Sequence, residues 1–147
     1  MTGQTPRLNI LLIDDSEDDT QLARAVFDYL GLSNGLRTLD SAAEALDYLR
    51  RAGKYAAGGH PRPDLVLLDL NMPGMDGLQL LRTLKADPEL KRIPVIMLTS
   101  STAPEDINRS FESGAASYLS KPSSIDGYRA LISGFGSYWL SVSALPE

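Results

Sequence analysis

The stretch Leu8–Asp19, LNILLIDDSEDD, carries the reading of the fold. Its first half is a short, strand-sized apolar run that Asp14 and Asp15 end at once. Its second half, Ser16-Glu17-Asp18-Asp19, resembles a capping box, in which a serine hydroxyl and a side chain three residues on satisfy free N–H groups at a helix start. Leu22, Val26 and Leu30 then recur at fourfold spacing until Gly31 stops the pattern. A buried strand hands over to an amphipathic helix within one segment.

The same change of period repeats along the chain. Leu36–Leu39, Leu65–Leu68, Val95–Leu98 and Tyr118–Leu119 are further short runs, most of them too apolar to be half exposed. Continuous apolar runs suit parallel strands buried on both faces. Ser41-Ala-Ala-Glu44 opens a second helix with Leu46 and Leu49, and Gly53 ends it. Leu78, Leu81 and Leu84 mark a third, closed by Asp87-Pro88. Thr102-Ala-Pro-Glu105 joins a capping box to a proline near the first helical position, before Ile107, Phe111 and a terminating Gly114. Ser124 opens the last helix, with Tyr128, Leu131, Phe135 and Tyr138 or Trp139 on one side. Strands alternating with helices give right-handed crossovers and a parallel sheet. The expectation is an α/β fold: a doubly wound, five-stranded parallel sheet in the flavodoxin-like order 2-1-3-4-5, with five helices. The chain reads as a single domain over 1–147, with a core at about 7–140, a short amino-terminal tail and a carboxyl-terminal extension. The one long connection is the Gly- and Pro-rich Arg51–Pro63.

Composition narrows the function. The chain has 147 residues, 14 Lys+Arg against 19 Asp+Glu, and a net charge of −5. With a pI of 4.8 it lacks the basic face that nucleic acid requires. Zero cysteines exclude disulfides, thiolate zinc sites and thiol nucleophiles. No apolar run approaches the ~20 residues of a membrane span, and Met1–Pro6 holds no signal-peptide core. The expected setting is soluble and cytoplasmic, with no membrane and no nucleic-acid partner.

In open parallel sheets, ligands bind outside the carboxyl ends of the strands. Asp14-Asp15 ends the first strand, Asp69 the third, Thr99-Ser100-Ser101 the fourth and Ser120-Lys121-Pro122 the fifth. Singly these are ordinary residues. Glu17, Asp18 and Asp19 read as first-turn acids, favoured by the helix dipole by ~0.3–1 kcal/mol each. Jointly, three carboxylates at adjacent strand ends repel and raise each other's pKa, at about 1.4 kcal/mol per unit. Such a cluster makes sense with a cation in it, and carboxylates with phosphate oxygens are a usual magnesium environment. Neither a GxxxxGK[ST] loop nor a GxGxxG follows the first strand. His60 lies in a Gly-Gly-His-Pro loop and reads as a surface residue, since a phosphate-donating histidine would stand on a helix. Asp69-Leu-Asn71 lacks the second aspartate that haloacid-dehalogenase-type phosphotransferases place two residues after the nucleophile.

Taken in order, ILLIDDSEDD, PDLVLLDLNMPGMDG, IPVIMLTSS and SYLSKP resemble a receiver domain of a two-component response regulator. The similarity spans essentially the whole chain. It implies that Asp69 is the phosphoacceptor and that Asp14, Asp15, Asp69 and the backbone carbonyl of Asn71 hold Mg²⁺, Asp14 mainly through a water. It also implies that Lys121 bridges Asp69 and later a phosphoryl oxygen, with a cis bond before Pro122 aiming it inward. Thr99 would donate its hydroxyl to the phosphoryl group, and Tyr118 would swing inward as Thr99 shifts. The Arg51–Pro63 loop and the ending FGSYWLSVSALPE are similar to single-domain regulators that serve phytochrome histidine kinases. The implied function is a signalling module, rather than a turnover enzyme or a pseudo-receiver that only binds partners. Its implied partner is a phytochrome-type histidine kinase. Tyr128, Phe135, Tyr138 and Trp139 further suggest a homodimer through the carboxyl-terminal face, since aromatics in excess of the core favour interfaces.

Overall fold

The computed structural model describes residues 9–29, 31, 35–122, 124, 126–131 and 133. Strands β1 (Ile10–Ile13), β2 (Leu36–Leu39), β3 (Leu65–Leu68), β4 (Val95–Thr99) and β5 (Ser117–Ser120) form one sheet in the order β2-β1-β3-β4-β5. All four pairings are parallel, with Ile10 opposite both Leu36 and Leu65. Helices α1 (Glu17–Tyr29), α2 (Ala42–Arg50), α3 (Gly77–Ala86) and α4 (Pro104–Glu112) follow the first four strands. A fifth, α5, is described over residues 126–131 and 133. The doubly wound α/β expectation holds in element order and strand order.

Alternation along the three central strands divides the core into two layers. Leu11, Ile13, Val66, Leu68, Val95 and Met97 face α2 and α3, where Ala45, Leu49, Leu81 and Leu84 meet them. Ile10, Leu12, Leu65, Leu67, Ile96 and Leu98 face Ala23, Val26 and Phe27 of α1 and Tyr128 of α5. Both faces of each central strand are therefore buried, as continuous apolar runs require. The edge strands β2 and β5 are only partly buried.

Several helix ends differ from the sequence reading. Ser41 caps α2 as expected, but the helix stops at Arg50, and Arg51 takes the left-handed conformation (φ 55°) in place of Gly53. Gly53 instead opens a 3-10 turn, Gly53–Tyr55. At α4 the N-cap is Ala103, with no side-chain bond, so Thr102 forms no capping box and Pro104 starts the helix. At α3 a complete capping box joins Asp76 and Gln79, a D-x-x-Q signal visible in the sequence.

Two side-chain expectations are also corrected. His60 is half-buried rather than a free surface residue: its ring stacks on Tyr48 at 4.1 Å and its Nε2 lies 2.8 Å from the Tyr48 carbonyl oxygen. This pins the 51–63 connection to α2. Tyr128 is 1% exposed and fills the α1-side core, which removes it from any outward aromatic face. Phe135, Tyr138 and Trp139 lie outside the described residues.

Candidate functional site

Backbone hydrogen bonding runs one residue past the strands and fixes the site's floor. Asp14 N–H donates to Leu39 O at 3.0 Å, Asp69 N–H to Ile13 O at 3.0 Å, and Lys121 N–H to Thr99 O at 2.9 Å. Three chemistry-bearing residues are thus held by the ladder itself, although they follow the last strand residues. Behind them, Gly74 supplies a left-handed turn (φ 75°), and α3 then begins directly against the end of β3. A Cβ on Gly77 would lie 2.0 Å from the Asp69 carbonyl oxygen, so only glycine allows this approach. The Gly77 N–H donates to Leu70 O at 2.9 Å and closes the connection.

Carboxylate oxygens of Asp14, Asp15 and Asp69 lie within 4.8 Å of one another. Asp14 and Asp69 are buried and Asp15 is exposed. The Lys121 ammonium sits among them, its side chain 9% exposed, at 2.8 Å from Asp14 Oδ2 and 3.3 Å from Asp69 Oδ2. It also meets Asp19 Oδ2 at 2.9 Å. Nothing local separates Asp19 from the other first-turn acids, because its partner is 102 residues away.

The electrostatics follow from burial and pairing. Burial raises the Asp14 pKa above the usual carboxylate range, against the lowering effect of hydrogen bonds from Lys121 and the Ser16 N–H. The field of Asp69 adds to the rise but is the smallest cause, so mutual repulsion matters less than expected. Lys121 is the physical reason. Burial pulls its own pKa down, but hydrogen bonds to Asp14 and Asp19 and the fields of Asp14 and Asp69 outweigh this and hold it above the ordinary lysine range. The ammonium is therefore permanently charged at neutral pH.

The set still fits a hard divalent cation. Three carboxylates, Asp14, Asp19 and Asp69, meet one ammonium, and Asp15 joins Asp14 and Asp69 in converging oxygen donors on one point. Oxygen-only donor sets select magnesium, calcium or manganese over softer metals. The Asn71 side chain is exposed beside this edge.

Thr99 is fully buried at the end of β4, with its hydroxyl accepting the Ser101 N–H at 3.4 Å. Tyr118, half-buried on β5, donates its hydroxyl to the Ser101 carbonyl at 2.8 Å. Ser101 Oγ in turn donates to Asp106 Oδ2 at 2.6 Å. Thr99, Tyr118 and the first turn of α4 therefore meet at a single loop residue. No described peptide bond is cis, which corrects the expectation for Lys121–Pro122. Lys121 still points inward, held by its backbone bond to Thr99 and its carboxylate partners.

A cleft of about 380 Å³ opens from Asp14 and Asp15 between α1, β2 and the 3-10 turn, with Arg24, Arg37 and Lys54 on its walls. Among the described residues no helix is long and apolar enough to cross a membrane.

Comparison with known proteins agrees with this arrangement. Residues 10–133 match the response regulator receiver domain family. Response regulator Rcp1 of Synechocystis sp. is 36% identical over 137 residues, covering 93% of this chain and 92% of that protein. The structure of the phosphorylated cyanobacterial phytochrome response regulator RcpA matches with a TM-score of 0.88 at 34% identity, over 97% of this chain and all of that one (100%). The Mn²⁺-bound form of Rcp1 matches at 0.83 and 36%, with 97% and 100% covered. With its sequence, its strand order and its acidic strand-end centre in agreement, the chain belongs to the response regulator receiver domain family.

Proposed function

We propose that the chain accepts a phosphoryl group on Asp69 from a phosphohistidine of a phytochrome-type kinase, with Mg²⁺ held by Asp14, Asp15, Asp69 and the Asn71 carbonyl. One observation carries this reading: a buried carboxylate at the central strand's end lies between two further carboxylates and a buried ammonium. Two related structures, one of a phosphorylated regulator and one holding Mn²⁺, support it.

In this reading an Asp69 carboxylate oxygen attacks the phosphorus. A new P–O bond forms, the donor's P–N bond breaks, and the imidazole leaves with its electron pair. Bound Mg²⁺ supplies charge neutralisation for an anion entering an acidic centre. Lys121 offers a second, metal-free positive charge at a phosphoryl oxygen, and Thr99 turns its hydroxyl from Ser101 to another. The buried floor keeps Asp69 fixed, so the protein contributes positioning and electrostatics more than covalent chemistry. Release of Thr99 from Ser101 frees the loop that Tyr118 and Asp106 share, and the partner-binding surface at α4 changes. Pairing of two copies through the carboxyl-terminal face rests on Phe135, Tyr138 and Trp139, and doubled mass in light scattering is its readout.

Intact mass after incubation with Mg²⁺ and acetyl phosphate tests the function. The expected result is one phosphoryl adduct on the wild type and none on Asp69→Asn, with the variant as stable as the wild type or more so. An unlabelled wild type would identify a receiver that only binds partners.

A further inference from the structure

A capping box closes on itself: the N-cap hydroxyl takes the N3 amide, and the N3 side chain takes the N-cap amide. At α1 only half of it forms. Ser16 Oγ accepts the Asp19 N–H at 3.2 Å, but the Ser16 N–H donates to Asp14 Oδ1 at 3.0 Å. The Asp19 carboxylate is left over from helix capping and reaches Lys121 instead, at 2.9 Å. A lysine ammonium has three N–H donors. Asp14 at 2.8 Å, Asp19 at 2.9 Å and Asp69 at 3.3 Å surround it, and the reactive carboxylate has the longest contact.

We propose that Asp19 is a positioning residue acting through Lys121: it competes with the phosphoryl group for the ammonium and is the partner that Lys121 releases on phosphorylation. The proposal rests on the reading of Asp69 as phosphoacceptor and deepens it. Exposure selects Asp19 as the leaving partner. Asp69 gives up its carboxylate charge in the acyl phosphate, so its 3.3 Å contact passes to the phosphoryl group it carries. The Asp14 side chain is 3% exposed, and withdrawing the ammonium from it strands a buried charge. Asp19 is 35% exposed, and water replaces its lost hydrogen bond. A phosphoryl oxygen on Asp69 therefore draws Lys121 toward β3 and away from Asp19, the partner whose loss water offsets. The exchange also uncouples the first turn of α1 from the end of β5, so that occupancy of the site is registered on α1.

The consequence is kinetic: Asp19 slows phosphoryl capture. A part-exposed ion pair of this kind corresponds to a roughly two- to fivefold change. The test follows labelling of the full chain over time by intact mass, at several acetyl phosphate concentrations below saturation with Mg²⁺ present. Asp19→Asn and Asp19→Ser, the second kept in case the first does not fold, are expected to label two- to fivefold faster while staying folded, with only a small fall in the unfolding midpoint. Asp19→Glu restores the carboxylate and is expected to return the rate toward wild type. In a Lys121→Ala background, Asp19→Asn is expected to bring no acceleration, an outcome that a purely structural role or direct repulsion of the donor would not give. A labelled wild type with folded Asp19 variants that are no faster overturns the role of Asp19 alone. A wild type that never labels overturns the Asp69 reading, and the role of Asp19 with it.

Discussion

Lys121 is one positive charge held among buried carboxylates, and that arrangement fixes what its loss must do. The Asp14 carboxylate is desolvated and depends on the ammonium at 2.8 Å for compensation. Removing one partner of a buried pair leaves an uncompensated charge and costs about 3–5 kcal/mol, whereas the intact pair adds little. Lys121→Ala is therefore expected to lower the unfolding midpoint sharply in metal-free buffer. Mg²⁺ should restore part of that loss, because a cation bound by the same oxygens supplies the missing charge. Labelling of the variant by acetyl phosphate should also be slower than wild type. Thermal unfolding with and without Mg²⁺ checks the first two statements. Equal midpoints for variant and wild type would make Lys121 a solvated charge. The Asp14, Asp69 and Lys121 positions were legible in the sequence because each stands at the end of an apolar run. Asp19 was not, since nothing local marks which first-turn acid has a distant partner.

At the scale of elements, continuous apolar runs located the three central strands to within two residues, because burial on both faces leaves no polar position to blur them. The partly buried edge strands, with Arg37 and Thr38 in β2 and Ser117 and Ser120 in β5, were marked by shorter apolar stretches. Helix ends were less legible. Arg51 accepts a left-handed conformation that glycine would normally take, and Ala103 starts α4 with Pro104 in place of a polar cap. The junction of β3 and α3 shows the reverse, a glycine whose necessity is wholly tertiary. Gly77 begins α3 with ordinary backbone angles, yet its Cα faces the Asp69 carbonyl so closely that a methyl group would collide at 2.0 Å. The colliding atom is backbone and cannot rotate away. Gly77→Ala is expected to destabilise by about 3 kcal/mol, and also to displace Asp69 and slow its labelling. Denaturant unfolding together with the labelling rate reads both effects. A variant with wild-type values for each would show that α3 can shift without disturbing the strand end.

For the whole molecule, the acidic centre and the core are joined through Tyr128. Its ring belongs to the α1-side layer, and its phenol feels the charges of Asp19, Lys121, Asp14 and Asp69. Burial pushes the phenol up to about 12 from its usual 10, with the field of Asp19 adding to the rise. Tyr128 is 1% exposed, so little of this is screened by solvent. A group whose pKa is raised by folding stabilises fully below its unfolded value, and the contribution disappears as pH climbs through the folded value. Lys121, also held above its ordinary range, has the same sign and its contribution is likewise intact at neutral pH. Global stability should then be insensitive to these two groups up to about pH 10. Between pH 10 and 12 it should lose about 2–3 kcal/mol from Tyr128, at about 1.4 kcal/mol per pKa unit. Tyr128→Phe keeps the ring in the core and removes the ionisable hydroxyl, so its stability curve should be flatter over that interval than the wild-type curve. Denaturant unfolding at stepped alkaline pH measures the difference. Parallel curves for the two proteins would mean that the phenol ionises as freely in the fold as in the unfolded chain, and that the layer beneath the acidic centre is open to water.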